Sequence, residues 1–377
     1  MNQTTRITES TRMEAVLYMA LELGASEWKL AFGVELGQKP SLRTVVAGDL
    51  NGLILEIGRA EHRLGVPEAA RVVSCYEAGR DGFWLHRFLL SEGVCNVVMD
   101  SSSIEVNRRH RRAKTDAVEA GKLLGLLMRF DRGEKKVFGV SHAPTPVQED
   151  ERHMSRELES LKRERTAHTN RLKSLLVSVG IQTKIGKGFL QQLCEMRQWN
   201  GEAVLPSLRE RLRREGERLA LLESQIQEVE RARRKAEVEA TEKVRRLQEL
   251  KAIGENSAWL FVVEFFGWRQ FRNRREVASL AGLTPMPYQS GDTVKIEQGI
   301  SKAGNWRIRT MSIEIAWAWL RFQPHSRLSL WFQERYGPGN RRSRRVGIVA
   351  LARKLLIALW RYLDHGVIPE GAVLKAK

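Results

Sequence analysis

The chain has 377 residues, 42% of them hydrophobic, and carries a formal net charge of +18 at pH 7. This length allows more than one core, because single cores rarely grow beyond roughly 250 to 300 residues. The positive charge indicates a polyanionic partner, and nucleic acid is the first candidate. A generally cationic binding protein would have the same charge, so charge alone does not indicate any chemistry.

The sequence gives no sign of secretion or membrane insertion. Its three cysteines are far apart and lack the spacing of a zinc or disulfide framework. The first ten residues are polar, and the apolar stretch from Val346 to Leu363 contains three basic residues that would be costly inside a bilayer. We therefore expect a cytoplasmic protein without a membrane partner.

The first third of the chain has an α/β pattern. Residues 16–48 contain three strand-like apolar runs separated by turn residues, and helical and strand-like segments alternate after them. This order predicts a mixed sheet with helices on its faces, in a domain that spans residues 1–146.

The centre of the chain, residues 147–250, has a helical pattern. Apolar residues recur at alternating spacings of three and four from Met154 to Val179 and from Leu205 to Leu250. The second series occupies successive a and d positions, which predicts one continuous coiled-coil helix over 205–250. The two helices could fold back on each other or pair between subunits as a dimer or tetramer, and they could also be a solvated spacer.

Residues 251–377 are predicted to form a mainly helical domain. The segment LQELKAIGENSAWLFVVEFFG, which begins just before this boundary, has two helical stretches around an Ile-Gly turn, a pattern typical of a helix-hairpin-helix motif. Further along, seven Arg or Lys and no acid occur between Arg341 and Leu363. A surface of this composition is suited to a phosphate backbone.

Four carboxylates of the N-terminal third are candidate metal ligands. Glu22 lies inside the first apolar strand, Glu77 ends the fourth strand, and Asp116 and Glu119 share one face at a helix start. An acid within an apolar strand is costly unless it is paired or bound to metal. Hard oxygen donors suit Mg²⁺ or Mn²⁺, although an acidic helix start and a strand-end ion pair would explain some of these residues without a metal.

Several short segments together resemble a known family. YEAG and KTDAVEA, followed by AGLTP, QSG and ISKAGNWRIR, are similar to the insertion-sequence transposases with a RuvC-like Asp-Glu-Asp-Asp site. That group includes bridge-RNA-guided recombinases and pilin-gene invertases, and the resemblance covers nearly the whole chain. It implies a ribonuclease-H-like N-terminal domain, a central coiled coil and a C-terminal transposase domain with a serine.

The resemblance also implies the roles of particular residues. The four carboxylates fall on Glu22, Glu77, Asp116 and Glu119, so that two positions carry Glu in place of Asp, and Asp100 could supplement the set. The serine falls on Ser290, whose hydroxyl would form a covalent link to DNA. Without the flanking motifs, Ser290 would be interpreted as a turn residue before Gly291.

Basic residues near these sites are candidates for phosphate contacts. They lie before the acidic pair, after the serine and in the C-terminal tail: Arg108, Arg109, Arg111, Arg112, Lys114, Lys302, Arg307, Arg309, Arg341, Arg342, Arg344 and Arg345.

The function predicted from these features is a DNA recombinase that exchanges strands of donor and target DNA with Mg²⁺ or Mn²⁺, as an oligomer, guided by a structured noncoding RNA. RNA guidance comes from the resemblance alone. Two alternatives are a metal-only nuclease or junction resolvase, in which water attacks, and a nucleic-acid-binding protein without catalytic activity.

Overall fold

A five-stranded sheet organises the N-terminal part of the chain. The structure is a computed structural model that describes residues 15–67, 70–79, 82–104, 116–134, 136–236, 240–288 and 296–375. The chain divides between Ala143 and Pro144 into two units, each with its own core.

The strands of the first unit pair in the order β3-β2-β1-β4-β5. Strands β1 to β3 are antiparallel, whereas β4 and β5 run parallel to β1. The elements are β1 (Val16–Leu23), β2 (Glu27–Gly33), β3 (Ser41–Val46), α1 (Leu50–Leu64), β4 (Arg71–Glu77), α2 (Trp84–Ser91), β5 (Cys95–Met99) and α3 (Asp116–Asp131). The predicted mixed sheet with helices is confirmed.

The two faces of this sheet bury different helices. Because successive side chains of a strand point to opposite faces, Leu17, Met19 and Leu21 of β1 pack in one core with α1 and α2. Tyr18 and Ala20 pack on the other side, in a core built by α3. Residues that continue the even-numbered set of β1 therefore face the α3 side.

The second unit is mainly helical. Its elements are α4 (Pro146–Val177), α5 (Phe189–Leu193), α6 (Pro206–Lys235), α7 (Thr241–Glu249), α8 (Glu255–Phe261), a π-helical turn (Val262–Phe266), α9 (Arg274–Leu280), β6 (Pro285–Tyr288), β7 (Ile296–Ile300), α10 (Trp306–Phe322), α11 (Arg327–Tyr336) and α12 (Arg341–His365). Its main core lies between α7, α8, α10 and α12. None of the helices that the structure describes is long and apolar enough to cross a membrane.

Helices α4 and α6 form a hairpin within the chain. Helix α4 begins at a capping box, in which Thr145 and Gln148 bond each other's backbone N–H groups. Leu158 and Leu161 of α4 pack against Leu222 and Ile226 of α6. Nearer the connection, the leucines of both helices enclose α5. The apolar seam predicted from the sequence is thus buried by folding back, one of the two arrangements that the pattern left open.

The prediction of one continuous helix over 205–250 is wrong. Helix α6 ends at Lys235, Ala236 has an extended backbone (φ −72°, ψ 132°), and α7 begins at Thr241. No glycine or proline marks this break in the sequence. Tertiary packing accounts for it, because Ala236 and Ala240 lie against the main core of the second unit and Arg233 is buried beside Asn256.

The helical pair predicted around the Ile-Gly turn is present as α7 and α8. Ala252 in the connecting turn has a positive φ of 83°, a conformation that side chains other than glycine seldom adopt. The function of this pair as a helix-hairpin-helix motif stays a prediction.

Two adjacent leucines of α6 provide a matched test of the hairpin. Leu222 is 6% exposed in the seam, whereas Leu221 is 59% exposed. Leu222→Ala should lower the free energy of unfolding by about 2 to 4 kcal/mol, because it removes buried methyl groups and leaves a cavity. Leu221→Ala should change it by less than about 0.5 kcal/mol. Urea denaturation followed by circular dichroism measures both, and equal effects would contradict the intramolecular seam.

Candidate functional site

Two of the predicted metal ligands lie at neighbouring strand ends in the first unit. In the parallel pair β1–β4, Leu21 is aligned with Tyr76, so Glu22 and Glu77 follow at the same level. The alternation of side chains places Glu22 with Ala20 and Glu77 with Cys75, on the face covered by α3. Glu22 is half-buried and Glu77 is exposed.

Helix α3 is anchored so that its acidic start points toward the same edge. At its far end, Asp131 accepts hydrogen bonds from Tyr18 and Arg71, which stand at the amino ends of β1 and β4, both at 2.7 Å. In the middle, the Cys75 thiol lies 3.8 Å from the carbonyl oxygen of Leu123. Helix α3 therefore runs opposite to β1 and β4, and its first residues lie toward the carboxyl ends of both strands.

The contact between Cys75 and Leu123 also determines how far along the strand direction Glu119 lies. Glu119 lies four residues before Leu123, about 6 Å along the helix. Glu77 lies two residues after Cys75, about 6 to 7 Å along the strand in the same direction. The two carboxylates are thus brought to one level of the sheet, with Asp116 one turn further out in the first turn of α3.

Asp100 follows β5 at this edge, because its neighbour Met99 is aligned with Glu77. The Asp100 backbone N–H donates to the Gly139 carbonyl at 2.8 Å, which ties the end of β5 to a later segment. As placed, no three His, Cys, Asp or Glu side chains among the described residues form a group that could hold a metal ion. A shared metal ion stays a prediction.

Ser290 lies outside the described residues, but the structure describes the strands on either side of it. Strands β6 and β7 form an antiparallel pair in which Pro285 is aligned with Ile300. The basic residues from Arg108 to Lys114 also lie outside the described part of the chain.

The motifs AGLTP and ISKAGNWRIR interlock at the base of the β6–β7 pair. Backbone N–H groups of Ser301, Lys302 and Asn305 donate to carbonyls of Thr284, Gly282 and Leu280, respectively, at 2.7–3.2 Å. A Cβ atom on Gly282 would lie 2.2 Å from the Ala303 carbonyl oxygen, and one on Gly304 would lie 2.3 Å from that of Leu280. Both glycines have positive φ, so no other residue fits this close crossing without strain.

The three basic residues after the serine differ in their surroundings. The Arg309 guanidinium donates to the carbonyls of Lys302 and Ala281, so it holds the interlocked loops together. Arg307 donates to Glu159 at 2.6 Å and lies over the Trp306 ring. Lys302 is exposed.

Glu264, which sequence reasoning missed, is the most buried acid near these motifs. It is 1% exposed and lies in the π-helical turn, where Arg156 of α4 donates to both of its oxygens at 2.8 and 3.1 Å. The Asn305 amide lies 3.3 Å from the same carboxylate. Burial alone would raise the pKa of Glu264, but hydrogen bonding from Arg156 and the nearby arginine charges hold that pKa below its ordinary value. The sequence does contain a signal for Glu264, namely an acid within the apolar run FVVEFF.

Four arginines of the C-terminal tail occupy the start of α12. Arg341, Arg342, Arg344 and Arg345 are exposed, and the Asn340 side chain caps the helix by accepting from the Ser343 N–H. The positive end of a helix dipole disfavours cations. An anion at this site would offset that repulsion.

Comparisons with known proteins agree with these motifs. Residues 244–330, from α7 into α11, match the family described as Transposase IS116/IS110/IS902. The chain is 41% identical over 380 residues to the putative transposase y4rJ of Sinorhizobium fredii, covering 95% of this chain and 94% of that protein. A probable family 20 transposase of Pseudomonas aeruginosa is 33% identical over 216 residues, which cover 56% of this chain and 62% of that protein.

A transposase for the insertion sequence element IS1328 of Yersinia enterocolitica is 28% identical over 232 residues, covering 60% of this chain and 67% of that protein. These matches define the class of protein: the chain is a transposase, an enzyme of DNA recombination. It belongs to the IS116/IS110/IS902 transposase family.

Removing the partner of Glu264 should destabilise the second unit. Arg156→Met leaves a buried carboxylate without its main hydrogen-bond donor, at an expected cost of about 3 to 5 kcal/mol in the free energy of unfolding. Arg163→Met on the same helix is the control, because Arg163 is exposed and donates a hydrogen bond to the Ser160 hydroxyl. Thermal unfolding of both variants measures the difference, and a small effect of Arg156→Met would contradict the role given to this pair.

Proposed function

We propose that this transposase cleaves and exchanges strands of donor and target DNA through the Ser290 hydroxyl, with a structured noncoding RNA as guide. Divalent ions would bind at the carboxylate edge, the edge of the sheet that carries Glu22, Glu77, Asp116 and Glu119. The proposal is best supported by the strand register, which puts Glu22 and Glu77 side by side at the carboxyl ends of β1 and β4, toward which the acidic first turn of α3 also lies.

The carboxylate edge fits a divalent ion by the chemistry of its donors. Glu22, Glu77, Asp116 and Glu119 offer hard oxygens, which Mg²⁺ and Mn²⁺ prefer. When bound, such an ion would offset the negative charge that develops on the phosphate oxygens. Glu22 and Glu77 are held by paired strands and Glu119 by an anchored helix, so the donors are fixed on regular elements.

The serine step involves two exchanges at one phosphorus atom. The Ser290 hydroxyl loses its proton as its oxygen bonds to the phosphorus of a DNA phosphodiester. The bond from phosphorus to one bridging oxygen breaks, and that oxygen takes up a proton and leaves as a hydroxyl. The hydroxyl of another strand then attacks the phosphoserine, which restores the serine and joins the strands. Bond energy is conserved in the phosphoserine, so no further reactant is consumed.

Phosphates would be held by the exposed cations of the second unit. Lys302 follows β7 closely in sequence, and the four arginines at the start of α12 form a second basic surface. Arg307 and Arg309 are bonded within the protein, so in this proposal they position the loops on which Lys302 is carried. The basic residues Arg108, Arg109, Arg111, Arg112 and Lys114 precede the acidic start of α3 in sequence and would act beside it.

Strand exchange requires two DNA partners to be held together, and we propose that a homo-oligomer of this chain holds them. The α4–α6 seam is used within the chain. A contact between copies would then use the outside of the hairpin. At its closed end Val177, Trp199 and Leu205 are exposed apolar residues.

The covalent intermediate can be detected directly. Labelled DNA incubated with protein, RNA and Mg²⁺ should give a slowly migrating adduct on a denaturing gel, and protease should remove it. Ser290→Ala should abolish both the adduct and recombination while leaving DNA binding within a few-fold, because binding depends on many phosphate contacts. Glu77→Ala should abolish both as well, and raised Mn²⁺ should partly restore the activity of Glu77→Ala but never that of Ser290→Ala.

Ser301→Ala and Glu92→Ala are matched controls and should keep wild-type activity, since Ser301 bonds through its backbone and Glu92 ends α2 away from the carboxylate edge. Cleavage without an adduct by the Ser290→Ala variant would show that water attacks, as in a metal-only nuclease. Wild-type activity in the Glu77→Ala variant would contradict the carboxylate edge.

RNA guidance predicts a discrete RNA partner. Protein purified from its bacterial host at moderate salt should carry one structured RNA, and sequencing of the bound RNA should return the same species in each preparation. Replacing Arg341, Arg342, Arg344 and Arg345 with Gln should reduce the amount retained, because each lost phosphate contact weakens binding. A random mixture of cellular RNAs would contradict guidance.

A further inference from the structure

A basic groove in the second unit has no part in the site described above. It lies between α9, α11, α12 and the segment 367–370, with a volume of about 920 Å³. Six cationic side chains line it: Arg274, Arg275, Arg327, Arg353, Lys354 and Arg361. Glu370 is the one acid of this lining, and it is paired with Arg327 at 3.3 Å.

Five of the six cations of the basic groove have no carboxylate partner of the kind that other arginines of this unit have. Within the residues that the structure describes, no carboxylate lies within ion-pair distance of Arg274, Arg275, Arg353, Lys354 or Arg361, whereas Arg156, Arg171 and Arg307 each contact one. Like charges that converge on one groove repel each other, and a bound polyanion would relieve this repulsion. The groove therefore fits a chain of negative charges.

The floor of the basic groove is apolar. Along α12, Ala350, Ile357 and Ala358 alternate with the cations at helical spacings of three and four. Arg353 and Arg361 are eight residues apart, about 12 Å along the helix axis. Trp331 and Ile368 form the sides, and the Lys354 ammonium lies 4.6 Å from the centre of the Trp331 ring.

We infer that the basic groove binds an unpaired strand of nucleic acid, with phosphates between the cations and base faces against the apolar floor. Base faces are stacked inside a duplex, whereas an unpaired strand can place them on aromatic and aliphatic side chains. A groove with cations at its rim and apolar side chains at its floor matches that combination. The inference rests on the proposed function only in that strand exchange generates unpaired strands.

The test measures binding of full-length protein to fluorescent oligonucleotides by anisotropy. The first probe is an oligothymidylate of about 15 nucleotides, a length within the usual range of single-strand binding sites. The other probes have the same length: an oligouridylate, an abasic strand and a duplex. Arg353→Gln with Arg361→Gln is the groove variant. Arg211→Gln with Arg231→Gln is the control, because both arginines are exposed on α6 and their loss changes the net charge equally.

The groove variant should bind the oligothymidylate at least about tenfold more weakly than the control, and the slope of log affinity against log salt should become shallower by roughly 1.4, the value for two lost contacts to a single strand. Binding of the duplex should fall by less than about threefold, since the exposed arginines at the start of α12 remain to contact duplex phosphates. A preference for the uridine over the thymidine strand would mark RNA as the occupant, and the reverse would mark DNA. Equal losses in the groove and control variants, or on duplex and single strand, would overturn the inference.

A second variant tests the apolar lining at the side of the groove. Ile368 is 45% exposed, so Ile368→Ser should leave the fold intact. It should weaken binding of the oligothymidylate but not of the abasic strand, and equal effects on both would overturn the placement of bases. The two hypotheses fail in different ways. Absence of a covalent adduct from the wild-type protein, with normal strand binding, would count against the serine chemistry alone. Unchanged strand binding by the groove variant, with normal adduct formation, would count against the groove alone.

Discussion

The ion pair between Glu264 and Arg156 is the constraint on which the arrangement of the second unit depends. A carboxylate that is 1% exposed is stable only with strong donors, and Arg156 supplies two hydrogen bonds from α4. The pair therefore fixes where the α4–α6 hairpin meets the main core. Asn305, which caps α10, lies against the same carboxylate, so the loops below β6 and β7 are positioned by one buried charge.

The π-helical turn explains how an acid comes to lie among phenylalanines. All five of its residues, from Val262 to Phe266, are buried, and the wider turn changes the direction in which each side chain points. Gly267 ends it: its N–H donates to the Val262 carbonyl at 2.7 Å, and an added Cβ would lie 2.8 Å from that oxygen. Turns of this kind often occur at functional sites, and here the turn delivers Glu264 to Arg156 and Asn305.

The regular spacing of apolar residues in the sequence predicted those strands and helices that depend on local pattern. The apolar run of β1 and the spacing of apolar residues in α4 and α6 appear in the structure as a strand and as helices. The same patterns placed Glu22 within the first strand and Glu77 at the end of the fourth. The break after Lys235 could not be predicted, because packing of Ala236 on a distant core sets it. The basic groove could not be predicted from the sequence either, since only the fold brings together the three elements that carry Arg274, Arg327 and Arg361.

The cluster of cations at the start of α12 has a consequence for the protein in the absence of nucleic acid. Four arginines repel one another and the positive end of the helix, and the first turn contains no acid to compensate. An anion bound at this turn would offset the repulsion and stabilise the folded protein. If DNA phosphates are held there, as proposed above, the free energy of unfolding of the transposase would rise when DNA is added.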